Sequence, residues 1–371
     1  MWRGAGRAGA CQASRPRRNR GTPGADAPRT RWGVASRVAP HAGGALFVAS
    51  LLAACAPDAS DAGLLPRAER YGIFRDLILL PRPAEAGGPF FLDRFETSVA
   101  DLEAFHAEQA RARGLPVRPP VDRDAGRLPA TGLDLEAARA YAGWRFGRLP
   151  RQDEWRHAAT GGGQYRYPWG DRPLATWSNT GDLGLGRATP VGTFESGRQS
   201  GGPYDLIGNV AEWTGSVDLG QALEGLGLLQ ARSHPALVVL APAEMPLPAL
   251  WYVAADREHV WHLVVGAHYL AVGLFDPFTR VDVDAFPLVW PRLPGERGGT
   301  TGVRVAADPE GLVRALLSER LAPTAAEEAA LRRFLRRGEV RQVLRRAFLR
   351  VVPGMAGPGP LLAILQEDLD A

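Results

Sequence analysis

The chain has 371 residues, 45% of them hydrophobic and 23% charged, with 44 Lys plus Arg against 40 Asp plus Glu. That balance excludes a disordered tail, a coiled coil and a polytopic membrane protein, and the length suits one large domain or two ordinary ones. Gly and Pro, 44 and 31 in number, make up about a fifth of the chain, so many residues must lie in turns and loops.

The formal net charge of +4 is unevenly placed. Residues 1–54 hold nine Arg and a single acid, Asp26, a surplus of +8, which leaves residues 55–371 at about −4. Charge therefore argues for no nucleic-acid partner once that segment is removed. The segment itself has the order of a secretory signal: an Arg-rich stretch, an apolar run over 42–54 too short to span a bilayer, then small residues. Its end, Leu52-Ala53-Ala54-Cys55, resembles the lipobox of bacterial lipoproteins. The resemblance implies cleavage before Cys55, lipidation of its thiol, and a lipid-anchored place in the cell envelope on the exported side of the membrane. Cys11 and Cys55 are the sole cysteines, so the mature part has no disulfide and no thiol for catalysis.

Beyond a small polar tether, apolar positions over 71–80 and 89–95 predict two strands joined by a turn. Ser98 with Asp101 three residues later predicts a capped helix carrying Val99, Leu102 and Phe105, ended by Gly114. A second helix is expected over 134–146 and a third around Trp155, stopped at Gly161. From there to about 306 helical periodicity is absent; strands are expected over 236–240, 250–254 and 260–265. The organisation is thus a signal (1–54), a tether with a lead-in strand (55–88), a main domain (89–307) and a helical C-terminal region (308–371).

Five motifs follow in order: Arg148-Leu149-Pro150 before Glu154-Trp155, Tyr167-Pro168-Trp169-Gly170-Asp171, Thr189-Pro190-Val191-Gly192, Tyr204-Asp205-Leu206-Ile207-Gly208-Asn209-Val210-Ala211-Glu212-Trp213, and Gly302-Val303-Arg304-Val305-Ala306. Together they resemble the formylglycine-generating, sulfatase-modifying factor family. The resemblance implies a compact α+β domain related to the C-type lectin fold. It also implies structural Ca²⁺ at Asn209, Val210 and Glu212, with a second site beginning at Asn179 and Asp182 as its nearest acid. In physical terms a Gly-permitted turn brings an amide oxygen and a carboxylate together with backbone carbonyls, a hard-donor set suited to Ca²⁺; the alternative is that the two side chains only hydrogen-bond the turn. Trp155, Trp169 and Trp213 are expected in the core.

The family's cysteine-oxidising members hold copper with a Cys pair between the last two motifs, and soft thiolates are what select Cu(I). Residues 214–301 contain no Cys, and Val264-Val265-Gly266-Ala267-His268-Tyr269 stands where the resemblance places Arg-Gly-Gly-Ser-Trp. No copper and no formylglycine-generating activity are expected; a metal-dependent oxidoreductase with other ligands is the alternative. His259, His262 and His268 are close in sequence, but strand alternation would put only His262 and His268 on one face. The segment 216–259 reads as an apolar insertion, and the resemblance implies that it lies by the family's concave substrate face. In the C-terminal helices, Arg332 to Arg350 carry eight Arg and only Glu339, a face for anionic lipid, an acidic partner or solvent. The resulting expectation is a non-catalytic binding or assembly module with an envelope protein or peptide as partner.

Overall fold

The computed structural model describes residues 70–119, 121–216, 228–230, 237–240, 251–254, 262–275, 288–292 and 294–370. The expectations for the leader, for Cys55, for His259 and for most of the 216–259 segment lie outside the described residues.

The lead-in expected as one strand over 71–80 divides in two. Arg70–Gly72 is a 3-10 turn and Ile73–Asp76 a short helix, α1, leaving Leu77–Leu80 as strand β1. The reason is packing: Tyr71, Ile73, Phe74 and Leu77 are all buried, whereas a strand would send Phe74 to the face opposite its neighbours. The helical turn instead sets Tyr71 edge-on to Phe146 at 5.1 Å and Phe74 against Phe334 at 5.2 Å. β1 pairs antiparallel with β2 (Phe90–Asp93), which also pairs with β10 (Ala306–Ala307).

Helix α2 (Val99–Ala112) starts at the expected capping box, in which the Asp101 N–H donates to Ser98 Oγ at 3.2 Å and the Ser98 N–H to the Asp101 carboxylate. A short α3 (Arg123–Gly126), capped by the Asp122 carboxylate, was not anticipated. α4 (Leu135–Trp144) ends where Phe146 turns to φ +62°, and α5 (Gln152–Thr160) ends at left-handed Gly161, as the glycine run predicted. A mixed sheet of order β8-β7-β3-β9 follows: β3 (Ala211–Trp213) runs parallel to β9 (Thr301–Gly302) and antiparallel to β7 (His262–Val265), which pairs β8 (Val289–Arg292). A third sheet orders β4 (Leu228–Gln230), β5 (Leu237–Leu240) and β6 (Trp251–Ala254). The C-terminal region is helical as expected: α6 (Pro309–Ser318), α7 (Ala325–Leu335, opened by the Thr324–Glu327 capping box), α8 (Gly338–Val351) and α9 (Leu362–Asp370).

These helices are not an appendage. One apolar core runs from Phe74 and Phe91 through Phe146, Trp213 and Val264 to Leu316, Phe334, Leu344 and Leu365. A second gathers Phe90, Leu92, Trp155, Tyr167, Leu206 and Val265 on the other side of β2. Much of the arginine run is tied down within the fold. Arg332 pairs with Glu328, Glu367 and Asp368, Arg336 with Asp368, and Arg337 donates to the carbonyls of Phe74, Arg75 and Leu77. The architecture is α+β. Among the described residues no helix is long and apolar enough to cross a membrane.

Candidate functional site

The Gly-Asn-Val-Ala-Glu-Trp motif forms a backbone knot. Gly208 sits at φ +89°, and a Cβ there would lie 2.5 Å from the Asn179 carbonyl oxygen, so glycine is required on both counts. That approach lets the Asn209 N–H donate to the Asn179 carbonyl at 2.7 Å and the Gly208 N–H to the Gly266 carbonyl at 2.7 Å. Asn209, itself left-handed at φ +55°, accepts on Oδ1 from the Thr189 N–H at 2.9 Å and from Asn179 Nδ2 at 3.1 Å. Its Nδ2 donates to Glu96 at 2.6 Å, and the Val210 N–H donates to the other oxygen of the same carboxylate at 3.0 Å.

Two residues on, β3 turns Glu212 inward against Arg304. Arg304 Nε donates to both Glu212 oxygens, at 2.9 and 3.1 Å, and Nη2 to one of them at 2.6 Å. Two further guanidinium protons, one on each terminal nitrogen, go to the Asp93 and Tyr204 carbonyls at 3.1 and 2.8 Å. Glu96, Glu212 and Arg304 are all buried, so this arginine is a charge-bearing core residue surrounded by carboxyls. Burial, and then the charges of Asp205 and Glu212, push Glu96 well above the ordinary carboxylate range. Burial raises Asp205 to about 6 and Asp93 to about 7, although Arg145 pulls Asp93 the other way.

This geometry tests the calcium expectation at Asn209, Val210 and Glu212, and the donors do not fit. Both Glu212 oxygens are held by Arg304, and Asn209 Oδ1 already accepts twice. A buried guanidinium supplies the positive charge that a cation would otherwise bring. At Asn179, Oδ1 is buried without a hydrogen-bond partner, but Asp182 turns away and accepts from the Gly273 and Leu274 N–H groups. Its neighbours Ser178 Oγ and Thr180 Oγ1 are also buried without hydrogen-bond partners, but no carboxylate joins these three oxygens, and the hard, charged donors that Ca²⁺ favours are missing from the group. Among the described residues there is no group of three or more His, Cys, Asp or Glu placed to hold a metal ion.

The histidines do not converge. His262 lies within β7 and is buried, while His268 falls beyond the strand, after Gly266 at φ +96°. Alternation therefore does not carry through to His268, whose ring meets Trp290 at 5.3 Å and whose Nδ1 accepts from the Leu270 N–H. Burial lowers both histidines, helped by Arg139 at His262 and Arg292 at His268. Trp155 and Trp213 are fully buried as expected, with Trp213 Nε1 donating to the Leu133 carbonyl.

Trp169 is only partly buried. It stacks on Tyr167 at 5.2 Å and 6°, meets Trp177 edge-on at 6.3 Å, and lines a cleft of about 470 Å³ with Tyr165, Trp177, Arg198 and Gln199. In that cleft Arg198 Nε and Gln199 Nε2 are buried without hydrogen-bond partners. Sequence reasoning missed Glu96 and Asp93 as partners of the motif, and it gave Asp205, which stands within the motif, no role. Glu96 lies more than a hundred residues upstream of Val210, so no local spacing announces it.

A family model described as a sulfatase-modifying factor enzyme 1-like domain matches residues 72–308, more than half of the chain. The chain belongs to this family. Among relatives of this sulfatase-modifying factor-like chain, hercynine oxygenase of Mycobacterium tuberculosis is 40% identical over 93 residues, 24% of this chain and 22% of that protein. The inactive C-alpha-formylglycine-generating enzyme 2 of Bos taurus is 41% identical over 106 residues, 25% of this chain and 35% of the relative. The formylglycine-generating enzyme of M. tuberculosis is 41% identical over 104 residues, 24% and 34% respectively. The matched stretches thus span between a fifth and about a third of these curated relatives. Among solved structures, CarF covers 59% of this chain and 86% of its own at 19% identity and a TM-score of 0.39; PvdO from Pseudomonas aeruginosa covers 62% and 90% at 19% and 0.38.

Proposed function

We propose that this protein is a lipid-anchored cell-envelope member of the sulfatase-modifying factor family that binds a protein or peptide partner and does not form formylglycine. The observation that carries the reading is the cysteine-free interval 214–301, into which the chain puts β7 and the His268 turn but no thiolate. Ser, Thr or His does not replace a Cu(I) thiolate pair. Similar relatives include proteins named as enzymes and one named inactive, so likeness alone does not choose between them. The aromatic cleft at Trp169 supports a binding role, because flat rings beside unpaired donors suit a peptide with apolar and carbonyl groups.

The purified protein, incubated with a cysteinyl peptide, copper and oxygen, is expected to leave the cysteine unchanged by mass spectrometry; conversion to an aldehyde would overturn the reading. Elemental analysis checks the oxidoreductase alternative, which stoichiometric copper or iron would favour. Metabolic labelling with a fatty acid should mark the wild type and not Cys55→Ala. Crosslinking from envelopes should recover a partner that Trp169→Ala fails to capture.

A further inference from the structure

A cleft of about 680 Å³, within the size range of small-molecule sites, opens where α6 and α8 meet the turn between β1 and β2. One wall is the backbone of Gly87 and Gly88 and the other carries Arg314, Arg346 and Arg350, with Gly311 between. The two helices are held by buried Val313, Leu344, Ala347 and Phe348, so the arginines project from a fixed frame. Arg346 and Arg350, four residues apart, share one face of α8. Arg350 is paired with Glu310 at 3.1 Å, but no described residue partners Arg314 or Arg346, and both are exposed.

Three further observations make the cleft electropositive. Asp308, at the N-cap of α6, does not cap the helix, because Arg148 holds its carboxylate at 3.0 and 2.6 Å and keeps it below the usual range. The first free N–H groups of α6, at Glu310 and Gly311, therefore lack that cap on the cleft side. Behind the glycine wall lies Arg82, 8% exposed, with Nη2 buried and unpartnered; a Cβ on Gly87 would lie 2.2 Å from that nitrogen. Around the cleft, Arg82, Arg148 and Arg151 join Arg314, Arg346 and Arg350 against four carboxylates, those of Asp153, Glu154, Asp308 and Glu310. Two positive charges stand uncompensated.

We propose that this cleft binds a soluble phosphorylated small molecule, whose phosphate oxygens are received by Arg314, Arg346 and the backbone at Gly311. Arginine forks match phosphate oxygens, a dianion balances the surplus, and a concave site with two walls suits a small ligand better than a flat membrane does. The site uses helices beyond residue 308, where the family match ends, and is independent of the reading of the Trp169 cleft.

Titration calorimetry of the full chain at low salt, with pyrophosphate and separately with glycerol 3-phosphate, tests the proposal. Saturable binding of at least one is expected, weakening as salt rises. Arg314→Gln with Arg346→Gln should raise the Kd at least tenfold without moving the melting temperature, since both side chains are exposed. Gly311→Glu is a second probe: a Cβ there meets nothing closer than 3.8 Å, so the helix tolerates it, while its carboxylate repels the ligand. Loss of binding in Gly311→Glu with an unchanged melting temperature supports the site. No saturable binding by the wild type, affinities within twofold of wild type in both variants, or binding to anionic vesicles alone would each overturn it.

Discussion

Arg304 lies fully buried against Glu212, within a ring of carboxyl groups that includes Glu96, Asp205 and Asp93. Arg304→Met leaves the Glu212 charge without its partner and should cost about 3–5 kcal/mol in urea unfolding; pairing it with Glu212→Leu should recover part of the loss, because two apolar side chains leave no orphaned charge. The same ring sets a pH dependence. Asp93 at about 7 and Asp205 at about 6 lie above their unfolded values near 4, so between those limits the folded state binds more protons than the unfolded one. Their contribution to stability is therefore present in full below about pH 4 and is lost as the pH rises towards 7. Asp93→Asn should flatten the fall in melting temperature between pH 5 and 7, which thermal unfolding across that range measures. None of these partnerships is visible in sequence spacing: the Arg304–Glu212 pair spans 92 residues, and only the two motif residues themselves stood out.

At the scale of elements, local rules held where the chain solves its own hydrogen bonding. The Ser98 and Thr324 capping boxes and the Gly161 stop all form as their sequences predict, because each satisfies backbone groups within a few residues. They failed at 71–76, where an apolar run suited to a strand is drawn into a helical turn by Phe146 and Phe334, and Arg337 then caps its carbonyls. The Gly208 turn lies between these cases: its glycine was legible, but the Asn179 carbonyl that forbids a side chain there was not. Gly208→Ala combines a left-handed φ with a backbone clash and should cost at least about 2 kcal/mol, read by chemical denaturation. A cost below about 0.5 kcal/mol would mean that the knot with Asn179 relaxes freely.

For the molecule as a whole, the helices after residue 308 complete a core begun at Phe74 and Phe91, and removing them would uncover Phe74, Phe146 and Val305. A chain ended after Ala307 should therefore lose cooperative thermal unfolding and bind a hydrophobic dye, whereas an independent tail would leave the transition intact. The sequence by itself determined the family motifs, the capped helices, the α+β class and the want of cysteine after Cys55, since these depend on residue type and on neighbours a few positions away. The tertiary structure alone decided that the motif carboxylate meets an arginine, that the apolar lead-in coils into a turn, and that the arginine-rich tail closes the core while leaving Arg314 and Arg346 beside a cleft. The physical reason is that burial and charge pairing are settled between segments a hundred or more residues apart, and no local periodicity records which of them will meet.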